Sequence, residues 1–503
     1  MGVAWNLPKG LKLHCGYKST LEADAANEAI QAGDRLQVLW DDAIIDRSAT
    51  TAERILHQPQ YVGKVFPQGE PWEGDGCDWH NIFPDGDVLR MYYTAWKHAD
   101  PETLRNCYAE SRDGGETWIK PDLGLFEVNG SKHNNVILDK GCELFVFKDE
   151  NPACPPAERY KGIGPVEKDK VRTLWCWTSP DPYHFKLGWK LAEARPTDPV
   201  SGFDTLNTVY WDAVKGEYHC YIRGFSLAAD GDWVRVVRRI VSRDFHAWTP
   251  AEDLVYRDPE TGAVLEAYPL YSNMIRPYPR NPELLVGFPS RYVERKEWTA
   301  NFDRLPHPEV RKAHMKVSPR YGLSVTDGVF MFSRDGLNFS RDDDAWKRPG
   351  PERFENWIYG DGYPACGIVT TKGREGDADE LSFFFWSGGW MGGASDLMRY
   401  TLRMDGFVSR HGRYSGAKVV TKPLVFAGSK MLVNFSTSAR GRMFIGICDA
   451  EGKTLRSVEL FGDQVDRPVD FEGGADVSAF AGRPVTVTFE LFDADVYSFR
   501  FTE

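Results

Sequence analysis

Short runs of β-branched and aromatic residues alternate along the chain with clusters of Gly, Pro, Asp and Asn, a pattern that predicts strands nearly throughout. "VLRMYYTAW" and "RNCYAE" precede Ser111, and "ELFVFKD", "RYKGIG" and "VRTLWCWT" precede Ser179. "TVYWDAVKGEYHCYIRGF" and "WVRVVRRIV" precede Ser242, and "MIRPYP", "ELLVGFP" and "YGLSVTDGVFMF" precede Ser333. Each group ends in a variant of one turn: "SRDGGETW" at 111, "SPDPYHFK" at 179, "SRDFHAWT" at 242 and "SRDGLNFS" at 333. In such a turn the Ser and Asp side chains bond backbone N–H groups and Gly supplies positive φ, so the repeat speaks of structure and not of catalysis. A fifth group, "WIYGDGYPACGIV", "ELSFFFWSG" and "DLMRYTLRMDGFVS", carries "RMDGF" where the others carry "SRDG". The one helix-like stretch is "STLEADAANEAIQAG", near the N-terminus.

Five antiparallel groups in succession predict an all-β fold: a five-bladed β-propeller over residues 36–410, after an N-terminal extension at 1–35. Past residue 410 the texture changes to "KMLVNFSTS", "RMFIGICDAEGKTL" and "PVTVTFELFDADVYSFRFTE", which predicts a C-terminal β-sandwich at 411–503. The repeated turn resembles the Asp box of sialidases, which implies a place on the rim of the propeller.

Charge narrows the partners. Lys and Arg number 61 against 73 Asp and Glu, a net charge of −12, which argues against nucleic acid and against an anionic membrane surface. No run of 18 apolar residues is present to cross a membrane. "MGVAWNLPKGLKLHCGYKST" lacks an apolar signal core, so a cytoplasmic protein is expected. The nine Cys show no C-x-x-C spacing, so buried free thiols are expected, with neither a zinc site nor a disulfide framework. With 17 Trp and an aromatic share of 13%, there are rings both for packing sheets and for stacking on sugars.

Candidate chemistry follows from the first strand of each blade, since these strands line the central channel. They read "DWHNIF", "KHNNVIL", "DTLNTVYW" and "LYSNMIRPY", each with an Asn: Asn81, Asn135, Asn207 and Asn273. Asp78 and Asp204 stand three positions ahead of theirs, and Asp361 in "YGDGYPACGIV" is placed near the same rim. Glu73 in "GEPWEGDG" and Asp42 in "LWDDAIID" are further candidate acids. Trp79, His80, Lys132, His133, Asn134, Arg223, Tyr271 and Arg276 are the candidate substrate-binding residues. Glycoside hydrolysis needs such a set: one carboxylic acid protonates the leaving oxygen, and a second carboxylate acts as base or nucleophile. Crowding carboxylates raises the pKa of one of them. The same Asp and Asn residues at strand starts also serve as plain turn formers. No metal and no cofactor is assigned.

The order of elements resembles the five-bladed propeller glycosidases, the superfamily of glycoside hydrolase families 32, 43, 68 and 117. More narrowly, it resembles bacterial family-32-like proteins with a C-terminal sandwich. The likeness is carried by "LQVLWDDAIIDR", "PWEG", "ERYKG", "FDTLNTVYWD", "SRDG", "RYTLRMDGFVS", "TKPLVFAGSKMLVNFSTSARG" and "DADVYSFRF". The W-M-N-D-P-N-G and E-C motifs of family 32 are absent. The resemblance implies three acids on successive inner strands. Asp78 and Asp204 take two of those places, and Lys132 and His133 stand where blade two should carry an acid. Asp361, Glu73 or Asp42 is then the third.

The function expected is that of a glycoside hydrolase acting on an oligosaccharide or glycoside, exo-acting on a terminal, furanosidic or similar sugar. The alternatives are a carbohydrate-binding propeller without turnover and a glycoside phosphorylase on the same fold, with Lys132, His133 and Arg276 available for phosphate. Homo-oligomerisation is left open.

Overall fold

The computed structural model describes residues 29–97, 100–169, 171–198, 202–227, 231, 233–354, 356–388 and 395–503. The chain divides into two units, Gln58–Arg403 and a second that joins Met1–His57 to Met404–Glu503. Both are built almost wholly of strands.

Five sheets make up the body of the first unit. Sheet I holds Gly76–Asp85, Val88–Lys97, Asp100–Ser111 and Val136–Leu138 in that order. Sheet II runs Phe145–Lys148, Tyr160–Lys168, Val171–Ser179 and Lys186–Glu193, and sheet III runs Thr208–Asp212, Glu217–Leu227, Trp233–Ser242 and Glu252–Asp253. Sheet IV runs Arg276–Tyr278, Asn281–Gly287, Met331–Ser333, Asn338–Arg341 and Val255–Arg257, its last strand pairing parallel. Sheet V runs Val369–Thr371, Glu380–Ser387 and Asp396–Arg403, and Gln60–Pro67 from the start of the unit supplies its outer strand. A three-stranded sheet, Leu270–Tyr271, Ser290–Glu294 and Ser324–Gly328, extends beside sheet IV.

First strands of neighbouring sheets lie side by side. The Val146 amide donates to Asn81 Oδ1 at 2.8 Å, joining sheets I and II, and Thr208 Oγ1 donates to Asn273 Oδ1 at 2.8 Å, joining III to the lead-in of IV. The Phe145–Lys148 and Thr208–Asp212 strands are neighbours too. The Ile82 amide donates to Cys366 O at 2.7 Å, which brings the lead-in of sheet V back against sheet I. The recurrent Asn is therefore a fastener: buried, it satisfies backbone groups where a ladder cannot reach.

The four turns repeat one set of hydrogen bonds. Ser111 Oγ accepts from the Gly115 amide at 2.9 Å, and Asp113 Oδ1 accepts from those of Glu116 and Thr117 at 3.1 and 3.0 Å. Asp181 accepts from Tyr183 and His184, Asp244 from His246 and Ala247, and Asp335 from Leu337 and Asn338. Each turn thereby aims an aromatic at the preceding sheet. Tyr183 meets Tyr108 at 5.0 Å, Phe245 meets Phe147 at 5.9 Å, Phe339 meets Tyr221 at 6.0 Å, and Trp118 meets Phe384 of sheet V at 5.9 Å. Each such pair is worth roughly 0.5–1.5 kcal/mol beyond the area it buries. Gly115, at φ +85°, has no room for a Cβ, which would stand 2.6 Å from the Phe384 ring.

Several expectations are corrected. "KHNNVIL" does not open the second sheet: Val136–Leu138 is the outer strand of sheet I, and Phe145–Lys148 takes the inner position. Two helices, Pro308–Met315 and Pro319–Leu323, interrupt the strands, in a long connection between Ser290–Glu294 and Ser324–Gly328. In "STLEADAANEAIQAG" the described residues are 29–33, of which Ile30–Gly33 form a strand paired parallel with Leu424–Phe426, and residues 19–28 lie outside the described residues.

The second unit is one ten-stranded sheet, dominated by Lys430–Asp449 paired along its length with Val485–Thr502. Gln37–Val38 and Glu53–Leu56 join it, so the segment before residue 57 belongs with the C-terminal strands and not with the sheets that follow it. Leu39, Ile45, Met431, Phe435, Ile445, Val487 and Phe499 form part of its core. The fifth variant, "RMDGF", lies here and makes a different structure. Asp405 accepts from Ser498 Oγ and Asn434 Nδ2, and Phe407 packs on Trp40 at 5.1 Å. Seven described cysteines are buried free thiols, whereas Cys448 is disulfide-bonded, against expectation.

Candidate active site

Three carboxylates converge from the inner ends of sheets I, II and III: Asp78, Glu143 and Asp204. Their backbones are bent on purpose. The ladder of Gly76–Asp85 slips between Asp78 and Asn81, and Trp79 sits inside the slip at φ 53°. Asp204 lies between Phe203 at φ 71° and Thr205 at φ 139°. Such positions are costly for residues with a Cβ and persist only where surroundings hold them. Asn207 does so here, donating from Nδ2 to both Phe203 O and Thr205 O at 3.1 Å. Glu143 follows a backbone clamped by Asn106, which donates to Cys142 O at 2.8 Å and accepts from its amide at 3.1 Å.

Their surroundings split the acids. Asp78 is buried, one oxygen accepts only from Trp96 Nε1 at 3.3 Å, and Oδ1 has no partner. Burial, with the nearby Glu143 charge, pushes its carboxyl up to about 7. Burial and then the charge of Asp204 push Glu143 up to about 7 as well, against Arg172 at 3.3 Å. Burial would also raise Asp204, but Arg223 at 2.6 Å, Arg172 and the Tyr271 hydroxyl at 3.1 Å more than offset it and hold the carboxyl below its ordinary value. Asp204 is the open member, its side chain 41% exposed. Near neutrality the set therefore holds an ionised Asp204 beside two carboxyls that exchange protons around pH 7.

Aromatic rings wall the same space. Trp79 stacks on Tyr363 at 5.9 Å and leans on Tyr271 at 5.5 Å, Tyr271 meets Tyr292 at 5.2 Å, and Tyr292 stacks on Tyr359 at 5.1 Å. All five rings are more than nine-tenths buried. Arg223 lies over Tyr271, its Cζ 5.6 Å from the centre of the ring whose hydroxyl donates to Asp204.

Of the residues expected from sequence, Asp78, Trp79, Asp204, Arg223 and Tyr271 meet here. The others are placed differently. Glu73 is buried and saturated: Oε2 accepts from the Gly69 and Glu70 amides and from Lys120 at 2.8–2.9 Å, and Oε1 accepts from Tyr93 at 2.6 Å. No oxygen is left for chemistry. Asp361 accepts from Ser387 at 2.9 Å and faces buried Lys347; burial raises it to about 6, and the Lys347 charge opposes. Asp42 belongs to the second unit, where Arg410 takes its carboxylate at 2.8 Å.

His80 is buried against Tyr93 and Gln68, and burial pushes its imidazole down to about 3. His133 is 88% exposed and bonds Asp122, Asn134 folds back on Phe126 O and Ser131 O, and Lys132 stands beside them before the outer strand of sheet I. Arg276 donates to Val209 O at 2.7 Å and covers Phe145. Among the described residues, no three His, Cys, Asp or Glu group to hold a metal ion.

Sequence reasoning missed Glu143. The signal was "CELFVF", an acid just ahead of a short apolar strand, as Asp204 stands ahead of its own. It also missed Tyr292, Tyr359, Tyr363 and the arginines Arg172, Arg235 and Arg320.

No family model matches the chain, and no curated protein matches it. Solved structures to which it is similar include BT0996 in an RGII complex, at 11% identity and a TM-score of 0.45 over 69% of this protein and 92% of that one. An N-acetylgalactosamine deacetylase from F. plautii in complex with blood group B trisaccharide is 10% identical, with a TM-score of 0.43, over 70% and 96%. The Bombyx mori GH32 beta-fructofuranosidase BmSUC1 is 11% identical, with a TM-score of 0.39, over 88% and 94%.

Proposed function

We propose that the chain is a glycoside hydrolase, that sheets I to V are the blades of a five-bladed propeller, and that the ten-stranded sheet of the second unit folds over its own core as a β-sandwich. The observation that carries the activity is the split among three convergent carboxylates inside an aromatic cage. Asp78 is the general acid. Its partnerless oxygen faces no protein acceptor, and a carboxyl raised to about 7 keeps a proton to give to the leaving glycosidic oxygen. Asp204, ionised and open to solvent, is the base or nucleophile at the anomeric carbon. Glu143, raised to about 7 like Asp78, sets the charge that each of the other two acids feels, and Arg172 pairs with it. As the sugar C–O bond lengthens, the negative Asp204 stabilises the positive charge that develops on the ring. Trp79 and the tyrosines stack on the sugar, and their depth supports an exo-acting enzyme that takes a terminal residue.

The test is hydrolysis of a panel of p-nitrophenyl glycosides and oligosaccharides by wild type and by Asp78→Asn, Glu143→Gln and Asp204→Asn. The expected result is a loss of about 10³-fold or more in kcat for the Asp78 and Asp204 variants. Unchanged rates in both would remove the pair from the chemistry. A wild type that binds glycans and cleaves none would make the propeller a binding protein.

A further inference from the structure

Two arginines at the mouth of the cage have no acid to answer them. Arg235, on Trp233–Ser242 of sheet III, has its Cζ 5.9 Å from the centre of the Tyr271 ring and 6.0 Å from that of Tyr292. Arg320, on the helix Pro319–Leu323, reaches the same ring cluster, with its Cζ 5.7 Å from the centre of Tyr292 and 5.5 Å from that of Tyr359. Its NH2 donates to the Tyr359 hydroxyl at 3.1 Å. Among the described residues neither arginine has a carboxylate within ion-pair distance, and Arg235 Nε is buried with no partner. Their neighbours are otherwise: Arg223 pairs with Asp204, Arg172 with Glu143, Arg238 with Asp198 and Arg291 with Asp327.

This arrangement opposes itself. After burial, the charges of Arg223 and Arg320 are what most depress Arg235. Like charges gathered in a partly desolvated space, with unmet N–H donors, cost stability until an anion joins them. The protein is acidic overall, at −12, so a positive pocket here is a local choice and not a general character. Guanidinium groups present paired donors that match the oxygens of a carboxylate or a phosphate. The place is also telling. One ring, Tyr271, touches both the Arg235 guanidinium and the Asp204 carboxylate, so an anion held here lies one ring from the reacting centre.

We propose that Arg235 and Arg320 form an oxyanion-binding subsite that selects a negatively charged reactant. That reactant is either a glycan bearing a carboxylate on the sugar at or next to the cleaved bond, or inorganic phosphate entering beside the sugar. The inference rests on the glycosidase reading for its role in turnover but not for the binding itself. In the phosphate case a phosphate oxygen bonds to the anomeric carbon, the glycosidic C–O bond breaks, the departing oxygen takes a proton from Asp78, and a sugar 1-phosphate results.

Binding and turnover are measured separately on wild type, Arg235→Gln, Arg320→Gln and the charge-keeping Arg235→Lys and Arg320→Lys. Calorimetry uses glucuronate, galacturonate and inorganic phosphate, with glucose and galactose as neutral controls. Turnover compares p-nitrophenyl glucuronide and galacturonide with the matched glucoside and galactoside, with and without phosphate. The subsite predicts that wild type binds at least one of the anions, and that each Gln variant weakens it about 10-fold or more, with the Lys variants between.

A uronate source shows as loss of kcat/KM on the uronide alone; a phosphate source shows as phosphate-dependent release of sugar 1-phosphate. Binding of an anion that the Gln variants abolish, with no cleavage of any glycoside, keeps the subsite and defeats the hydrolase. Cleavage of neutral glycosides with no anion binding, or with binding indifferent to both Gln changes in folded protein, overturns the subsite and leaves the hydrolase standing.

Discussion

Glu73 and Asp78 sit close together in sequence, and both are buried, yet they are opposite kinds of carboxylate. Glu73 accepts hydrogen bonds on both oxygens from two amides, a lysine and a tyrosine hydroxyl. Asp78 has one long bond from an indole and one oxygen with none. Burial was the same problem in each case. In the first the fold solved it with donors; in the second it left the cost standing, and a proton meets it. The comparison teaches that a buried acid is a candidate for chemistry when its surroundings leave it unanswered, not because it is buried.

The largest effects should separate the two residues. Asp78→Asn is expected to lose activity about 10³-fold while the protein stays folded. Glu73→Gln is expected to lose roughly 1–3 kcal/mol of stability, because the buried donors around it lose the carboxylate they share and Lys120 keeps only Glu70, at 3.9 Å, while the folded fraction keeps its kcat. Denaturant melts and rates normalised to folded protein read both. Near-normal stability in Glu73→Gln would erase the distinction.

Stability against pH sharpens it. Asp78 holds its proton more tightly folded than unfolded, so between about pH 4 and pH 7 the native state binds more protons and stability falls as pH rises. Above about pH 7 the loss is complete. Asp78→Asn should therefore gain stability over wild type, on the order of 1–3 kcal/mol at pH 8, and show no gain at pH 4. A variant less stable than wild type at pH 8 would contradict an unanswered carboxyl.

Smaller effects belong to the supports. Asn106→Ala removes the clamp on Cys142 and should cost about 1–3 kcal/mol, with a fall in kcat because Glu143 loses its bearing. Asp113→Ala should cost about 1 kcal/mol and leave kcat unchanged, since that turn only anchors Trp118 against sheet V.

Much of this was legible in the sequence, for physical reasons that can be named. Period-two runs and the Ser-x-Asp turns marked the sheets, because the turn needs those side chains to bond its amides. Asp78 and Asp204 were found because each stands three positions ahead of the Asn of an inner strand. Glu143 was not, because its strand, Phe145–Lys148, is only four residues long, while "KHNNVIL" carried the same Asn as the true inner strands. That Asn marks a fastening need, which outer and inner strands share. The pairing of the strands before residue 57 was missed because their partners lie hundreds of residues away, and pairing at that range leaves no local trace. Arg320 was unreadable for a related reason: a short polar helix in a long connection has no amphipathic stripe, so nothing in "PHPEVRKAHMKVSPRYGL" announces where it ends.

The central claim is a difference in protonation, and it can be read without knowing the substrate. Carbon-13 NMR of the protein labelled at the Asp and Glu side-chain carboxyl carbons, titrated from pH 3 to pH 9, reports each carboxyl directly. The account predicts a resonance titrating near pH 7 that vanishes in Asp78→Asn, and an Asp204 resonance that stays ionised down through the ordinary carboxylate range. If Asp78 titrates at or below that range, or Asp204 is the group that holds the proton at neutrality, then Asp78 is not the acid and Asp204 is not the base.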